Sequence, residues 1–268
     1  MNRTQLIRIV TLLAFLLMVS VNILANTLPI NEVTTGQVSD SYPNLFAPAG
    51  FTFAIWGLIY LLLAGYTVYQ LGYFKKSTAD ENTELLNNVG ILFSISSVAN
   101  AAWIFAWHYQ QIFLALLLIV VILVCLILIN QNTRNDMFSL NERIFIAIPF
   151  SVYFGWITVA TIANVTTLLV SINWDGFGIA EPTWTVIIIF IGFLIGATTM
   201  LKNFDLAYGL VIIWAYSGIL YRHISSEGFD GEYTSIIAIT LLCIILLLIS
   251  IIYIIYRRRN SNSAYNQL

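Results

Sequence analysis

Residues 112–129 read IFLALLLIVVILVCLILI, eighteen consecutive apolar residues without a charge, an amide or a hydroxyl. About 20 such residues in a helix cover the hydrocarbon core of a bilayer. Inside lipid every backbone N–H and C=O must be satisfied by the protein itself, which restricts spanning structure to helices and closed barrels. Runs of this kind recur at 6–25, 51–73, 86–107, 110–130, 143–171, 184–201, 206–221 and 234–256. Hydrophobic residues make up 59% of the chain and charged ones 9%, against about 25% charged in soluble domains. The expected fold class is all-α, a polytopic membrane protein with eight transmembrane helices.

The first run follows MNRTQLIR and resembles a secretory signal with a cleavage point near Ala25. It is longer than a signal core and places Ile23 three residues before that point, so a retained helix is expected. The sixth and seventh runs are short and joined by KNFD, Lys202 to Asp205, whose charges favour a turn over a re-entrant unit. Lys and Arg test the topology independently, because they accumulate on the cytoplasmic side. With a cytoplasmic N-terminus, Arg3, Arg8, Lys75, Lys76, Arg134, Arg143, Lys202, Arg257, Arg258 and Arg259 fall inside, and only Arg222 falls outside. The expectation is a prokaryotic cell membrane with both termini cytoplasmic. The first outer loop, TLPINEVTTGQVSDSYPNLFAPAG (27–50), is then long enough to act as a lid, and its Pro, Gly, Asn and Asp content predicts turns rather than a helix. The final NSNSAYNQL is expected to be a disordered polar tail beginning near Arg259.

The spans lack mid-membrane Asp, Glu, Lys, Arg and His. Such residues mark proton relays, ion pathways and voltage sensors, so their absence argues against those classes and against a retinal protein, which needs a lysine in a late span. There is no Ser-His-Asp set, HExxH or aspartate-rich pair, and an enzyme is not expected. His108 and His223 sit at span ends, where anchoring is the ordinary role and no metal site is expected. Cys125 and Cys243 lie in apolar runs and read as small buried hydrophobes. No basic patch or nucleic-acid motif is present.

What the spans do carry is aromatic and amide side chains at helical spacing. Phe53, Trp56 and Tyr60 share one helix face, and so do Asn100, Trp103 and Trp107. In FGWITVATIAN (154–164), Trp156, Ala160 and Ala163 continue to Thr167 as a stripe, with Asn164 at its margin. Interfacial belts and close packing of small residues account for part of this pattern. They account less well for Trp156, Asn100 and Asn164, which lie deeper, and the spacing leaves packing and a ligand pocket both open.

Three stretches together resemble the TspO/MBR family, the tryptophan-rich sensory proteins and translocator proteins. FAPAGFTFAIWGLIY is similar to that family's Pro-rich approach to its second helix, VANAAWIFAW to its Asn-x-x-Trp signature, and WITVATIAN to its Trp-x-x-x-Ala-Thr-x-x-Asn pattern. The resemblance covers about residues 1–175 and implies a five-helix bundle with a pocket in its outer half, capped by the first loop. It implies a porphyrin or other tetrapyrrole as ligand, held without a covalent cofactor bond, and places Trp56, Asn100, Trp103, Trp156, Ala160 and Asn164 at or beside the pocket. With the shared helix faces, the expected ligand-binding set is Phe53, Trp56, Tyr60, Asn100, Trp103, Trp107, Trp156, Ala160 and Asn164. Flat aromatic walls suit a planar macrocycle, and an amide offers both a donor and an acceptor.

There are departures from the family pattern. Phe51 stands where the family's first tryptophan of this helix sits, and Pro149 lies a helical turn further from Trp156. The sterol-recognition segment is missing from VTTLLVSINWDG. The expected domain organisation is a bundle over 1–175 and a three-helix extension over 176–258. The extension is open to two readings, cover for the lipid-facing side through which short members dimerise, or a second cavity or docking surface. Partners are the lipid bilayer and a hydrophobic small molecule. The alternative function is a transporter of a neutral or hydrophobic solute.

Overall fold

The computed structural model describes residues 1–28, 30–73, 83–134 and 138–265; Lys75 and Lys76 of the charge pattern and the last three residues of the tail lie outside this set. Contacts divide the chain into two units, Met1–Asn44 with Phe53–Asn173, and Leu45–Thr52 with Trp174–Leu268. Among the described residues there is no strand.

The first unit contains α1 (Arg3–Thr27), α2 (Thr35–Asp40), α3 (Ile55–Gln70), α4 (Thr83–His108), α5 (Ile112–Asn132) and α6 (Leu140–Ser171). At the start of α1 the Asn2 side chain accepts from the Gln5 amide and Gln5 reciprocates, a capping box that satisfies two otherwise orphaned N–H groups. Its buried residues Ile7, Thr11, Ala14, Met18, Val21 and Ala25 recur every three or four positions, while Leu13, Leu16 and Leu17 are exposed on the opposite side.

Burial explains where polar residues are tolerated. In α4 and α6, 67% of the apolar window is buried by protein, against 39% in α1 and α5 and 33% in α3. The two central helices are the ones that carry Ser94, Ser97, Asn100, Thr158 and Asn164, because protein neighbours offer partners that lipid cannot. The peripheral α5 is almost purely aliphatic. Within α6, Pro149 has no N–H to give the helix ladder, and the turn before it, Arg143–Ala147, widens to π geometry.

Three helices converge at Gly90. A β-carbon there would overlap the Gln70 side chain and sit 3.0 Å from both Ile7 Cγ2 and Thr11 Oγ1. Thr11 and Ser94 both donate to the Gly90 carbonyl, at 3.2 and 2.7 Å, so the backbone is fixed where the space is smallest. Gly90→Ala is therefore expected to destabilise the unit by about 1–2 kcal/mol, within the range for overpacked cores, measured as a lower thermal midpoint in detergent.

The second unit contains α7 (Glu181–Asn203), α8 (Leu206–Ile224) and α9 (Thr234–Tyr265). The KNFD segment is a tight turn: Phe204 is left-handed at φ 52°, and Asp205 caps α8 by accepting from the Tyr208 amide at 3.0 Å. Gly196 and Gly209 let α7 and α8 approach closely, one against Ile212 and the other against Met200. The Tyr216 hydroxyl donates to the Ile189 carbonyl at 2.6 Å. Cys125, in the first unit, and Cys243, in the second, are buried free thiols.

Seven helices are long and apolar enough to cross a membrane. The eighth, α8, has 19 residues and so about the length required. The chain is an all-helical integral membrane protein. Two expectations are corrected. The first loop contains a helix, α2, started by a Thr34–Gln37 capping box that its turn-rich composition obscures. The tail beyond Arg259 continues α9 to Tyr265 rather than leaving the helix.

Candidate functional site

In the first unit α3 and α6 bring their aromatic faces together. Trp56 stacks on Tyr60, with ring centroids 5.5 Å apart at 21°. Phe53 and Trp56 present ring edges to Trp156 at 5.8 and 6.1 Å, and Trp56 also meets Tyr153 at 6.0 Å. Phe53, Trp56 and Tyr60 are partly exposed whereas Tyr153 and Trp156 are buried, so the cluster has an open side on α3 and a closed side on α6.

Behind the rings runs an amide relay. Asn22 Nδ2 donates to the Met18 carbonyl at 2.8 Å and to Asn100 Oδ1 at 2.7 Å. Asn100 Nδ2 in turn donates to the Tyr153 hydroxyl oxygen at 3.0 Å. The direction of this chain is fixed, and it leaves the Tyr153 proton to donate elsewhere. Trp156 differs. It is 3% exposed, and its indole N–H has no acceptor among the described residues.

A second group forms further along α4. Trp103 stacks on Trp107, with centroids 5.3 Å apart at 20°. Trp103 Nε1 donates to Asn164 Oδ1 at 3.1 Å, while Asn164 Nδ2 donates back to the Ala160 carbonyl at 2.9 Å. Asn164 is buried and Ala160 and Ala163 are only half-buried, so the shielded stripe of α6 passes through Asn164 instead of leaving it at the margin. Trp107 Nε1 reaches the Thr35 carbonyl at 3.1 Å and ties α4 to the start of α2.

His108 sits directly beyond. It is fully buried and makes hydrogen bonds to the loop: the Ile30 carbonyl can only accept, so Nδ1–H donates to it at 3.0 Å, and Nε2 accepts from the Thr35 hydroxyl at 3.0 Å. Asn31 donates to the His108 carbonyl at 3.0 Å. This histidine is a fastener for the first loop, not an interfacial anchor. His223 is likewise buried, in the second unit. Among the described residues no three of His, Cys, Asp and Glu form a group that could hold a metal ion.

The nine expected residues therefore fall into two neighbouring sets. Phe53, Trp56, Tyr60 and Trp156 meet directly, and Asn100 reaches them through Tyr153. Trp103, Trp107, Asn164 and Ala160 form the other set. Sequence spacing missed Asn22, Tyr153 and Thr35. Asn22 carried a signal, an amide within an otherwise apolar run; Thr35, whose backbone carbonyl meets Trp107 and whose hydroxyl meets His108, carried none. Five further buried polar atoms also lack a partner among the described residues: Tyr66 Oη, Gln70 Oε1 and Ser97 Oγ in the first unit, and Thr52 Oγ1 and His223 Nδ1 in the second.

Phe51 departs from the family pattern for a reason visible in the fold. It belongs to the second unit, where its ring meets Trp214 and Tyr221 edge-on at 5.7 and 5.2 Å. It takes no part in the cluster around Trp156.

Comparison with curated proteins and with solved structures returns no match. The TSPO-like protein family model, in contrast, matches residues 8–255, well beyond the 175 residues over which the motifs were legible and into the last of the three C-terminal helices. With the aromatic cluster, the amide relay and a match of that length, the chain belongs to the TSPO-like protein family.

Proposed function

We propose that the first unit binds a porphyrin or a similar hydrophobic aromatic ligand against the Phe53, Trp56 and Trp156 rings, and that this binding serves a sensory role. The carrying observation is the Trp156 indole N–H, buried and without an acceptor among the described residues. A buried donor left unmade costs about 1–3 kcal/mol, so a fold that keeps one has a use for it. The half-exposed rings of Trp56 and Tyr60 offer a stacking face, and the uncommitted Tyr153 proton supplies a second donor. A ligand that is flat and carries hydrogen-bond acceptors meets both demands. Binding rather than chemistry is the proposed activity.

The orientation proposed with this reading keeps both termini cytoplasmic and the first loop outside. The one basic residue on the outer side, Arg222, is retained for structure: its guanidinium lies 5.4 Å from the Phe229 ring and donates to the Pro48 carbonyl at 3.4 Å.

Titration of the full chain in nanodiscs with protoporphyrin, following tryptophan emission and the Soret band, is expected to give saturable quenching at one equivalent. Quenching that rises without saturating, as for partition into lipid, overturns the reading. A carrier function is the second reading, and the unpartnered Tyr66, Gln70 and Ser97 atoms favour it, since they place polar groups deep among α3 and α4. Net uptake of protoporphyrin into proteoliposomes separates the two.

A further inference from the structure

The second unit contains a piece of chain that does not belong to it in sequence. Leu45–Thr52, LFAPAGFT, lies between α2 and α3, yet its contacts are with residues beyond 174. Leu45, Phe46, Ala47 and Thr52 are buried. One helix, α8, supplies the grip. The Gly218 carbonyl accepts from the Ala49 amide at 3.1 Å. Trp214 Nε1 donates to the Thr52 carbonyl at 2.9 Å, and His223 Nε2 donates to the Leu45 carbonyl at 2.9 Å. Both ends and the middle of the segment are thus held through its backbone.

The fit is close. A β-carbon on Gly218 would overlap the Thr52 side chain, so glycine is needed here for approach. The imidazole of His223 is enclosed by Phe229 and Tyr233, at ring distances of 4.7 and 5.8 Å, and the Gly231 amide donates to the His223 carbonyl at 2.9 Å. The Ser225–Tyr233 turn therefore buttresses the histidine. Leu45–Thr52 has no charge and no titratable group; what α8 recognises is its backbone and its apolar side chains.

The chain leaves this grip at Thr52 and delivers Phe53 and Trp56 within the next four residues. The 3₁₀ turn Gly50–Ala54 carries it without a break from the held segment into α3. We infer that α8 is an intramolecular receptor for Leu45–Thr52 and that Trp214, Gly218 and His223 are positioning residues, fixing the first turn of α3 and with it the rings of Phe53 and Trp56. The consequence for affinity rests on the porphyrin-binding reading; the positioning itself does not.

The test uses the full chain in nanodiscs and hydrogen exchange of backbone amides. Gly218→Val and His223→Leu are expected to speed exchange at least tenfold at Ala49 and Thr52 and also across residues 53–58. Amides of α6 should keep their rates, which shows that the variants are folded. His223→Gln, whose amide nitrogen stands in for Nε2, is expected to restore protection, and Trp214→Phe, which keeps a ring against Phe51 but loses the bond to Thr52, should act in the same direction as the first two variants. In parallel, protoporphyrin affinity should fall about fivefold or more in Gly218→Val and recover in His223→Gln relative to His223→Leu. Unchanged exchange at Ala49 overturns the receptor, and faster exchange confined to 45–52 overturns the positioning role. If the parent chain does not bind protoporphyrin, the proposed function fails while the exchange results still decide the inference.

Discussion

Trp156→Phe is expected to weaken protoporphyrin binding by about tenfold to a hundredfold and to leave fold stability within about 1 kcal/mol of the parent. The two halves of this expectation have opposite origins. The indole N–H has no partner among the described residues, so removing it relieves a desolvation cost of about 1–3 kcal/mol. The smaller ring leaves a void next to Phe53 and Trp56, which costs about 1–2 kcal/mol. These nearly cancel. With ligand bound, the lost donor is no longer offset, and a hydrogen bond to a charged acceptor is worth about 1.5–3 kcal/mol. Titration and thermal unfolding of the same preparation check both halves. A variant that loses stability and affinity in equal measure would show Trp156 to be packing alone.

Asn100→Leu is expected to have the largest effect on stability, a loss of about 2–4 kcal/mol. Asn100 accepts from Asn22 and donates to Tyr153, and leucine strands one N–H of Asn22 and the Tyr153 oxygen in a buried site, at about 1–3 kcal/mol each. Interhelical hydrogen bonds in membrane proteins average nearer 0.6 kcal/mol, because the separated helices find other partners. The higher figure is expected here since Asn100 bridges two helices at once and all three side chains are buried. Adding Asn22→Leu should recover about 1 kcal/mol by removing one stranded group. Simple additivity of the two losses in a double-mutant cycle would contradict the relay.

Helix existence was legible because lipid imposes it: apolar runs of the required length leave few alternatives, and α5 could be read off eighteen residues. Helix faces were also legible where aromatic residues recur, as for Trp56 with Tyr60 and Trp103 with Trp107. Partners were not. That Trp103 would choose Asn164, or that Asn100 would turn from Trp103 toward Asn22 and Tyr153, depends on which helices neighbour α4, and spacing within one helix carries no such information. The α2 helix was hidden because its six residues are held by capping and by contact with α4, not by an apolar period. Phe51 was the most misleading position. It occupies a motif register that suggests the aromatic cluster, while the backbone around it is claimed by residues more than 160 positions later in the chain, such as Trp214.

That long reach has a consequence for biogenesis. A ribosome that has passed Asn173 has made every residue of the first unit, yet the receptor for Leu45–Thr52 has not been synthesised. Until α8 is inserted, Leu45, Phe46 and Ala47 must wait without their burial partners, next to a site whose leading aromatic residues they precede. Closing this contact is a late event, joining Thr52 to Trp214 across 162 positions, at a loop-closure cost that grows only slowly with that length. A fragment that stops after α6 would contain every residue of the aromatic cluster and lack what holds the lead-in to α3. The contacts of Leu45–Thr52 with α8 are in this sense the last ones open to this stretch of the nascent chain, available only once α8 has been made.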